Sequence, residues 1–530
     1  VARLLAATHG DESVGSAIAE LIREEIAEKT TDRKFTSEVQ YRFRHALVRE
    51  AAYGLLTEEE SIAWHRAAGE FLVAVQEPDA GILAEHFFRG QEMSRAGGWY
   101  ARAAERAFEA GDFPSASAIA ERSFSCGVDG HARSELIGQY LVACFWRGMF
   151  EKGAEYTDEI RRTLTPGSIA WCRAYFGLIS ATVSLLQPIA FQLIHEFLAF
   201  APNAEAVNAY GDTIGIIGAV AGSLGNRPLM EIVQKRCRQM ELENQDPGTY
   251  RAWIRYSDGY NFLRIEGALF SGYRCLLECV ESTGKLEQHH IELGFIPWLA
   301  EALERMGQYD EAMRRMEAAV MLQERYKQEL SAMYTGVMLA GQLIRRAKPD
   351  DLARAETILE KNRDGGNFQS MAIMKSMLAR IFLLRGELPK ALELNGLALD
   401  QLQPMPTWLP DSVALQGTIL LAMNRPREAV ECCRSLVEKC RGLEIEPAGM
   451  ANLFVVFADA HARLGEMDMA RQTILQALEI VRKNVADAGD MTLVGTFLNR
   501  AEENVRMFEL ATQWNVECSD LLELRKRSTA

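Results

Sequence analysis

One pattern recurs ten times along this chain and constrains its fold more than any other feature. In each copy a helical segment ends at a turn residue, usually Gly; an aromatic or large apolar residue follows two positions later, and a small residue follows three positions after that. The turns lie at or near Gly111, Gly148, Gln187, Gly225, Gly267, Gly307, Lys348, Gly386, Asn424 and Gly465. The mean step of about 39 residues is typical of stacked helical hairpins.

Each position of the pattern has a physical role in a helical hairpin. Gly ends the first helix because it adopts a left-handed conformation without a steric penalty. The aromatic residue, such as Phe113, Phe150 or Tyr309, is expected to fill the corner between the helices. The small residue lets the two helices cross closely; these residues are Ala116, Gly153, Gly272, Ala312, Ala391, Ala429 and Ala470. A single hairpin cannot bury its apolar face, so neighbouring hairpins must stack.

Two copies, MGQYDEAMRRMEAAV and LGEMDMARQTILQAL, resemble the second half of the tetratricopeptide repeat. The resemblance covers about residues 95–485, although that family's usual period is about 34 residues. The sequence predicts an all-α fold, a tetratricopeptide-like α-solenoid (right-handed superhelix) with a small N-terminal winged-helix-like segment. We expect that segment at residues 1–77, about ten hairpins at 78–515 and a polar C-terminal tail at 516–530. Helix is expected for nearly all of residues 80–512, and strands only within about residues 34–45.

The charge balance and the cysteines narrow the choice of partner and compartment. A net charge of −15 argues against general binding of nucleic acid, which needs a dominant basic surface. The chain has no apolar run of the roughly 20 residues that span a bilayer and no signal sequence at its N-terminus, so we expect a cytoplasmic protein. None of the ten cysteines forms a Cys-x-x-Cys pair, which predicts buried, reduced thiols without a zinc site or a disulfide framework.

The N-terminal segment departs from the repeat. A helix over SAIAELIREEIAEK, a strand-like stretch KFTSEVQYRFRH and two further helical segments follow one another in a winged-helix-like order. The residues YRFRHALVREAAYGLLTEEESIAWHRAAGEFL resemble the segment that follows the ATPase core in signal-transduction (STAND-type) ATPases. Such ATPases occur in bacterial multidomain Ser/Thr kinases, class III nucleotide cyclases and LuxR-type activators.

In that family the winged helix packs on the nucleotide-binding domain, and tetratricopeptide-like repeats follow it. The resemblance implies that Arg44 and His45 sense a nucleotide, facing either its phosphate or the ATPase surface, because a cationic pair suits a phosphate. The alternative is that His45 and Arg49 only make structural contacts at the corner between strand and helix. The resemblance also implies an upstream ATPase domain in the same polypeptide, and the chain indeed begins with Val instead of Met.

The sequence carries no motif for catalysis. A phosphate-binding loop, a kinase catalytic loop and a Gly-x-Ser-x-Gly elbow are all absent, and the nearest match, CVESTGKL, fails at two positions. We therefore predict that this chain is not an enzyme and needs no cofactor or metal. Any ATPase, kinase or cyclase domain is expected upstream of Val1.

In tetratricopeptide arrays the first helix of each hairpin lines the concave face, so the resemblance implies a binding surface there. Counting back from each turn places a recurring arginine at inward positions, with polar residues on neighbouring faces; the candidate residues are Asn261, Arg264, Glu301, Arg305, Gln342, Arg345, Arg346 and Arg380. The hypothesis is that this basic track binds a protein or peptide partner with acidic or phosphorylated groups. The alternative is that these arginines pair with acids of adjacent helices, such as Glu304.

Several functional alternatives stay open at this point. The favoured function is a sensor arm of a signalling ATPase that binds a protein, peptide or small inducer. The others are a constitutive scaffold without a switching role, an enzyme with an unfamiliar site in the groove, and a winged helix that binds DNA. The small residues of DTIGIIGAVAGSLG are expected to let one helix pack closely on its neighbours, and LQPMPTWLPD (402–411) is expected to be an irregular loop.

Overall fold

A computed structural model of the chain describes residues 11–30, 39–244, 248–362 and 367–527. The chain divides into two compact units, Val1–Tyr140 (unit 1) and Leu141–Ala530 (unit 2). In the described residues beyond position 95, helices alternate with short turns and no strand occurs. The prediction of an all-α helical solenoid is confirmed. The domain boundaries at residues 77 and 515 stay predictions.

Unit 1 begins with helices and two short strands, in the order α1 (Asp11–Arg23), β1 (Ala27–Lys29), β2 (Tyr41–Phe43), α2 (Ala46–Gly54) and α3 (Glu58–Ala74). The strands form an antiparallel pair in which Ala27 lies opposite Phe43. Helix α3 starts with a capping box, because the Thr57 hydroxyl accepts from the Glu60 N–H and the Glu60 carboxylate accepts from the Thr57 N–H. The winged-helix interpretation of this segment stays a prediction.

The position of β1 contradicts the sequence prediction, which extended a helix through residue 29 and confined strands to about residues 34–45. The helix ends at Arg23 because Glu25 adopts a left-handed φ of 57° and the Ile26 N–H bonds to the Leu21 carbonyl. The helix-favouring residues that follow pair with β2, so tertiary pairing overrides their propensity. Residues 34–38 of the predicted strand region lie outside the described residues.

The rest of unit 1 consists of helices packed on a small apolar core. They are α4 (Ala80–Arg89), α5 (Met93–Glu109), α6 (Phe113–Ser125) and α7 (Gly130–Trp146), which contains the boundary between the units. Leu83, Phe87 and Tyr100 are buried in this core.

Unit 2 continues as antiparallel helices joined by short turns. They are α8 (Phe150–Ala154), α9 (Thr157–Thr163), α10 (Ile169–Ser184), α11 (Ile189–Leu198), α12 (Val207–Leu224), α13 (Arg227–Glu243), α14 (Thr249–Asn261), α15 (Leu269–Lys285), α16 (His289–Arg305), α17 (Tyr309–Tyr326), α18 (Glu329–Arg346), α19 (Pro349–Lys361), α20 (Phe368–Leu384), α21 (Leu388–Leu402), α22 (Leu409–Ala422), α23 (Pro426–Gly442), α24 (Met450–Arg463), α25 (Met467–Asp487), α26 (Met491–Arg500), α27 (Glu502–Gln513) and α28 (Ser519–Arg527). A π-helical turn (Phe262–Glu266) extends α14, and 3-10 helices occur at Ala204–Ala206 and Pro406–Trp408. No helix of the described residues combines the length and apolar character needed to cross a membrane.

The repeat pattern has the structural roles that its residue types predict. Left-handed φ angles between 62° and 80° end the first helices at Gly111, Gly148, Gly225, Gly267, Gly307, Gly386 and Gly465. The small residues five positions after Gly307 and Gly386 are fully buried, and so are their counterparts after Asn424 and Gly465. Phe113 and Phe150 are buried corner residues, whereas Tyr309 is only half-buried.

Close packing explains the row of small residues in α12. A Cβ added at Gly215 would lie 2.8 Å from the Cβ of Trp253, and one at Gly222 would lie 3.3 Å from the ring of Tyr260. Glycine therefore lets α12 approach α14 backbone to backbone, as the sequence predicted for this stretch.

Hairpins far apart in the sequence contact one another within unit 2. The Glu446 N–H donates to the Ile265 carbonyl over 2.8 Å, and the Ala448 N–H donates to the Leu263 carbonyl over 2.7 Å. The Thr407 hydroxyl similarly donates to the Ser223 carbonyl over 2.8 Å. The hairpins around residues 220–270 therefore pack against those around residues 405–450.

Regular structure occurs in two segments for which the sequence predicted an irregular loop and a polar tail. The segment 402–411 is not a loose loop, because it contains a 3-10 helix and buries Thr407 and Trp408. The predicted polar tail includes α28, whose Leu521 is buried. All ten cysteines are free thiols, and most of them are buried.

Candidate functional site

An aromatic cavity lies in the interior of unit 2. Its volume is about 120 Å³, and its lining comes from the first helices of seven consecutive hairpins and from Met405. The aromatic members of the lining are Phe145, Trp146, Trp253, Tyr256, Tyr260, Phe295, Trp298, Tyr334 and Phe368. We call this the aromatic cavity.

The rings of the cavity contact one another in a continuous series. Trp253 meets Phe295 edge to face with centroids 5.0 Å apart, and Phe295 meets Tyr256 at the same separation. Trp298 then packs against Tyr334 at 5.0 Å. Edge-to-face and tilted pairs of this kind hold the contacting rings in place, so the cavity is a preformed feature of the packed helices.

The side chains that line the described part of the cavity are electrically neutral, and two of them carry hydrogen-bond donors without partners. Among the residues that the structure describes, no Asp, Glu, Lys or Arg lines it. Burial raises the pKa of Tyr334 to about 12 and also raises the pKa of Tyr256, so both phenols are neutral at physiological pH. Trp253 Nε1 and Gln369 Nε2 are buried without a hydrogen-bond partner in the described part of the chain. An unpaired buried N–H costs free energy, so an acceptor that reached it would bind favourably.

A larger groove adjoins the aromatic cavity. Its volume is about 840 Å³, and Val183, Val220 and Met405 line both spaces. One wall belongs to the hairpins around residues 183–231, and the opposite wall is formed by residues 404–405 and 442–444. We call this the adjoining groove; its volume lies within the range of about 300–1,000 Å³ that ligand sites occupy.

The predicted basic track is a buried polar network. Arg264 is 2% exposed, and its guanidinium lies 3.5 Å from the ring centroid of Trp408. Arg264 and Arg305 both pair with the carboxylate of Glu301, and Arg305 also pairs with Asp411 over 2.6 Å. The structure therefore brings these predicted residues together, but as partners of one another and of a later hairpin.

The neighbouring predicted residues behave in the same way. Arg345 lies 3.4 Å from a carboxylate oxygen of Glu502, and its guanidinium lies over the ring of Tyr309. Arg380 reaches Glu502 at 3.5 Å and remains half-exposed. Burial raises the pKa of Glu304 to about 7, although the charge of Arg345 opposes this.

Three further candidates have local partners or none. The Asn261 amide donates to Glu266 over 2.6 Å, and Arg346 pairs with Asp351 over 3.1 Å. Gln342 is buried, and its Nε2 has no partner among the described residues. Of the predicted arginines, Arg264 and Arg346 pair with acids of adjacent helices, whereas the others also reach acids of later hairpins. A role of the track in ligand binding stays a prediction.

The two N-terminal candidates lie in unit 1. Arg44 is exposed and pairs with Glu25 over 2.8 Å, while its Nε lies 3.5 Å from Glu28. His45 precedes α2 without a capping hydrogen bond from its side chain. Their role in nucleotide sensing stays a prediction. Among the described residues, no group of three or more His, Cys, Asp or Glu side chains is arranged to hold a metal ion.

Sequence reasoning missed the aromatic cavity. It counted arginines near the turns, whereas the cavity is lined by aromatic residues from several positions along the first helices. A usable signal was present, because Trp146, Trp253 and Trp298 all lie in first helices. The sequence did not show that residues 402–411 fold back to bury Met405 beside them.

Comparisons with known proteins identify no family. No protein-family model matches this chain, and no curated protein matches it. Among solved structures, a Rap protein complexed with competence and sporulation factor is 13% identical with a TM-score of 0.45, covering 67% of this chain and 98% of that one. Yeast Tom70 is 12% identical with a TM-score of 0.34, covering 87% of this chain and 96% of that one. With TM-scores this low, the assignment of the fold rests on the helices of this chain.

Proposed function

We propose that this chain is the ligand-binding arm of a larger bacterial signalling ATPase and that its interior binds a peptide or protein segment. The observation that carries the binding role is the aromatic cavity with its two unpartnered donors, Trp253 Nε1 and Gln369 Nε2. The adjoining groove provides room for a chain next to the cavity. The link to an ATPase comes from the resemblance of residues 41–72 to the segment that follows the ATPase core in that family.

The position of the groove supports a switching role. Its two walls come from hairpins that are separated by about 200 residues of sequence and contact each other through hydrogen bonds such as Thr407 to Ser223. A ligand in the groove touches both walls, so its binding free energy depends on their separation. Ligand binding therefore favours one arrangement of the hairpins over others. By favouring one arrangement, a ligand can change the affinity or activity of a distant site.

Selection from a random-peptide display library tests the binding role. The purified chain is the target, and Ala219→Trp is the blocked variant because Ala219 lines the aromatic cavity. Ala318→Trp is the matched control, since Ala318 lies on the exposed face of α17. We expect peptides that bind the wild type and the control but not the blocked variant. Selection of only those peptides that bind all three proteins equally would contradict the proposal.

The complete protein tests the switching role. Selected peptides are added to the full-length ATPase, and the rate of ATP hydrolysis is measured with and without the Ala219→Trp substitution. We expect a change in rate that the substitution removes. Binding without any change in rate would identify the chain as a constitutive scaffold.

A further inference from the structure

We infer that the aromatic cavity binds a neutral aromatic side chain of a peptide, whose backbone carbonyl groups accept hydrogen bonds from Trp253 and Gln369. This inference rests on the proposed binding role and names the chemistry of the ligand. Its basis is the size of the cavity, the absence of charge in its described lining, and the kind of hydrogen-bonding group left unpaired there.

The size of the cavity matches a single ring. An apolar cavity of about 150 Å³ holds one benzene molecule, and the aromatic cavity measures about 120 Å³. Ring faces and edges surround it, so a planar group gains offset or edge-to-face contacts on several sides. The continuation into the adjoining groove past Val183 and Val220 leaves room for the residues that flank the aromatic one in the peptide.

The unpaired groups specify acceptors on the ligand. Trp253 is 3% exposed and Gln369 is 6% exposed, and the atoms without partners are both nitrogen donors. Peptide carbonyls are neutral acceptors with two lone pairs each. A bare hydrocarbon ring would leave these donors unpaired.

A cationic ligand fits the site less well, although aromatic rings can hold a cation over their faces. The described lining offers no carboxylate to balance the charge. A quaternary ammonium group also has no lone pair, so Trp253 Nε1 and Gln369 Nε2 would stay unsatisfied. The two unpaired nitrogen donors therefore favour a neutral ligand that accepts hydrogen bonds.

The test uses N-acetyl-L-phenylalaninamide as the probe, with toluene for the ring alone and tetramethylammonium for a cation. Binding to the purified chain is measured by saturation-transfer nuclear magnetic resonance and by calorimetry. We expect the amide probe to bind in the millimolar range and more tightly than either of the other two. Absence of binding, or tighter binding of tetramethylammonium, would overturn the inference.

A Gln369→Met variant isolates the hydrogen bond, because it removes the donor and keeps an unbranched side chain of similar length. We expect the amide probe to bind about fivefold more weakly to it, whereas toluene binding stays unchanged. Equal affinity of the amide probe for the wild type and the variant would overturn the assigned role of Gln369.

Two blocked variants, Ala219→Trp and Ser184→Trp, change residues that line the aromatic cavity and are expected to abolish binding of the probe. Ala318→Trp is expected to retain it. Far-ultraviolet circular dichroism and the melting midpoint establish which variants are folded. Retention of full affinity by a folded blocked variant places the probe outside the cavity and overturns the inference. Peptides from the display library that need the cavity but lack an aromatic residue would also overturn it, while leaving the binding role intact.

Discussion

In unit 2 the Arg305 guanidinium donates through Nη2 to Oδ2 of Asp411 over 2.6 Å, and this bond joins helices 106 residues apart in the sequence. The same guanidinium donates to Glu301 over 3.0 Å. Burial by itself would lower the pKa of Arg305, but the carboxylates of Asp411 and Glu301 raise it above its usual value. Arg305 therefore holds two distant hairpins together as a permanent cation.

Replacing Arg305 by Met is expected to lower the free energy of unfolding by about 2–3 kcal/mol. The substitution leaves the buried Glu301 with only Arg264 as its partner, and removing one member of a buried pair is costly. Urea denaturation followed by circular dichroism measures the change. The control is Arg314→Met, which removes an exposed pair with Glu311 and is expected to cost less than about 0.5 kcal/mol.

An equal effect of the two substitutions would show that the Arg305 network does not stabilise the fold. The predicted basic track can be tested by a pulldown with the double variant Arg305→Glu and Arg345→Glu. Both changes place an acid beside existing acids, so loss of partner binding counts only if the variant remains folded.

Replacing Glu304 by Gln is expected to stabilise the protein at high pH. Burial raises the pKa of this carboxyl from 4.5 to about 7. Between these values the folded state binds more protons than the unfolded state, so stability falls as pH rises. Above pH 7 the full cost applies, and it amounts to as much as about 3 kcal/mol for a shift of this size.

The free energy of unfolding of Glu304→Gln and wild type is compared at about pH 5 and about pH 8. We expect the variant to have the larger free energy of unfolding at the higher pH, and we expect this difference to be largely absent at the lower pH. The exposed Glu317→Gln serves as the control and is expected to show no such dependence. A variant that is less stable than wild type at the higher pH would contradict the raised pKa.

Tyr309 links its own hairpin to a later one. Its hydroxyl donates to the Arg500 carbonyl over 3.0 Å, and its ring lies 4.6 Å from the guanidinium of Arg345. Tyr309→Ala is expected to cost about 3 kcal/mol, and Tyr309→Phe about 1 kcal/mol because it removes only the hydrogen bond. Thermal unfolding measures both; identical melting midpoints for all three proteins would show that this contact is not formed.

The small residues of α12 are testable with a matched pair of glycine substitutions. Gly215→Ala places a Cβ 2.8 Å from Trp253, which is too close without movement of the helices, so we expect a loss of about 1–3 kcal/mol. Gly396→Ala in α21 meets nothing within 4 Å and is expected to stabilise the protein by about 0.5–1 kcal/mol, because Ala favours a helix over Gly. Chemical denaturation measures both, and stabilisation by Gly215→Ala would contradict the close approach of α12 and α14.

Much of the fold was predictable because the repeat is local. The glycine at each turn, the small residue five positions later and the apolar stripe act within a single hairpin, so each leaves a pattern in consecutive residues. Ala312 and Ala391 illustrate this, since both occupy the predicted close crossing and are fully buried. The strand Ala27–Lys29 was missed because its structure depends on pairing with residues 41–43.

The candidate site was less predictable. Arg264 and Arg305 were correctly placed in first helices. The sequence did not show that the ring of Trp408 packs on Arg264 or that Asp411 forms an ion pair with Arg305. The cavity beside them needs Trp253, Phe295 and Gln369 to meet from three helices. No pattern of consecutive residues predicts that these three side chains lie close together.

The sequence by itself determined that this chain forms stacked helical hairpins, where the first helices end at the glycine turns and which small residues allow the crossings. Turn conformation and helical periodicity are set by neighbouring residues, so these properties can be deduced from the order of residues alone. Only the tertiary structure decided that the hairpins near Ser223 and Ile265 pack against those near Thr407 and Glu446. That contact depends on the accumulated rotation of many hairpins, and it determines which arginines become paired and which aromatic residues enclose a cavity.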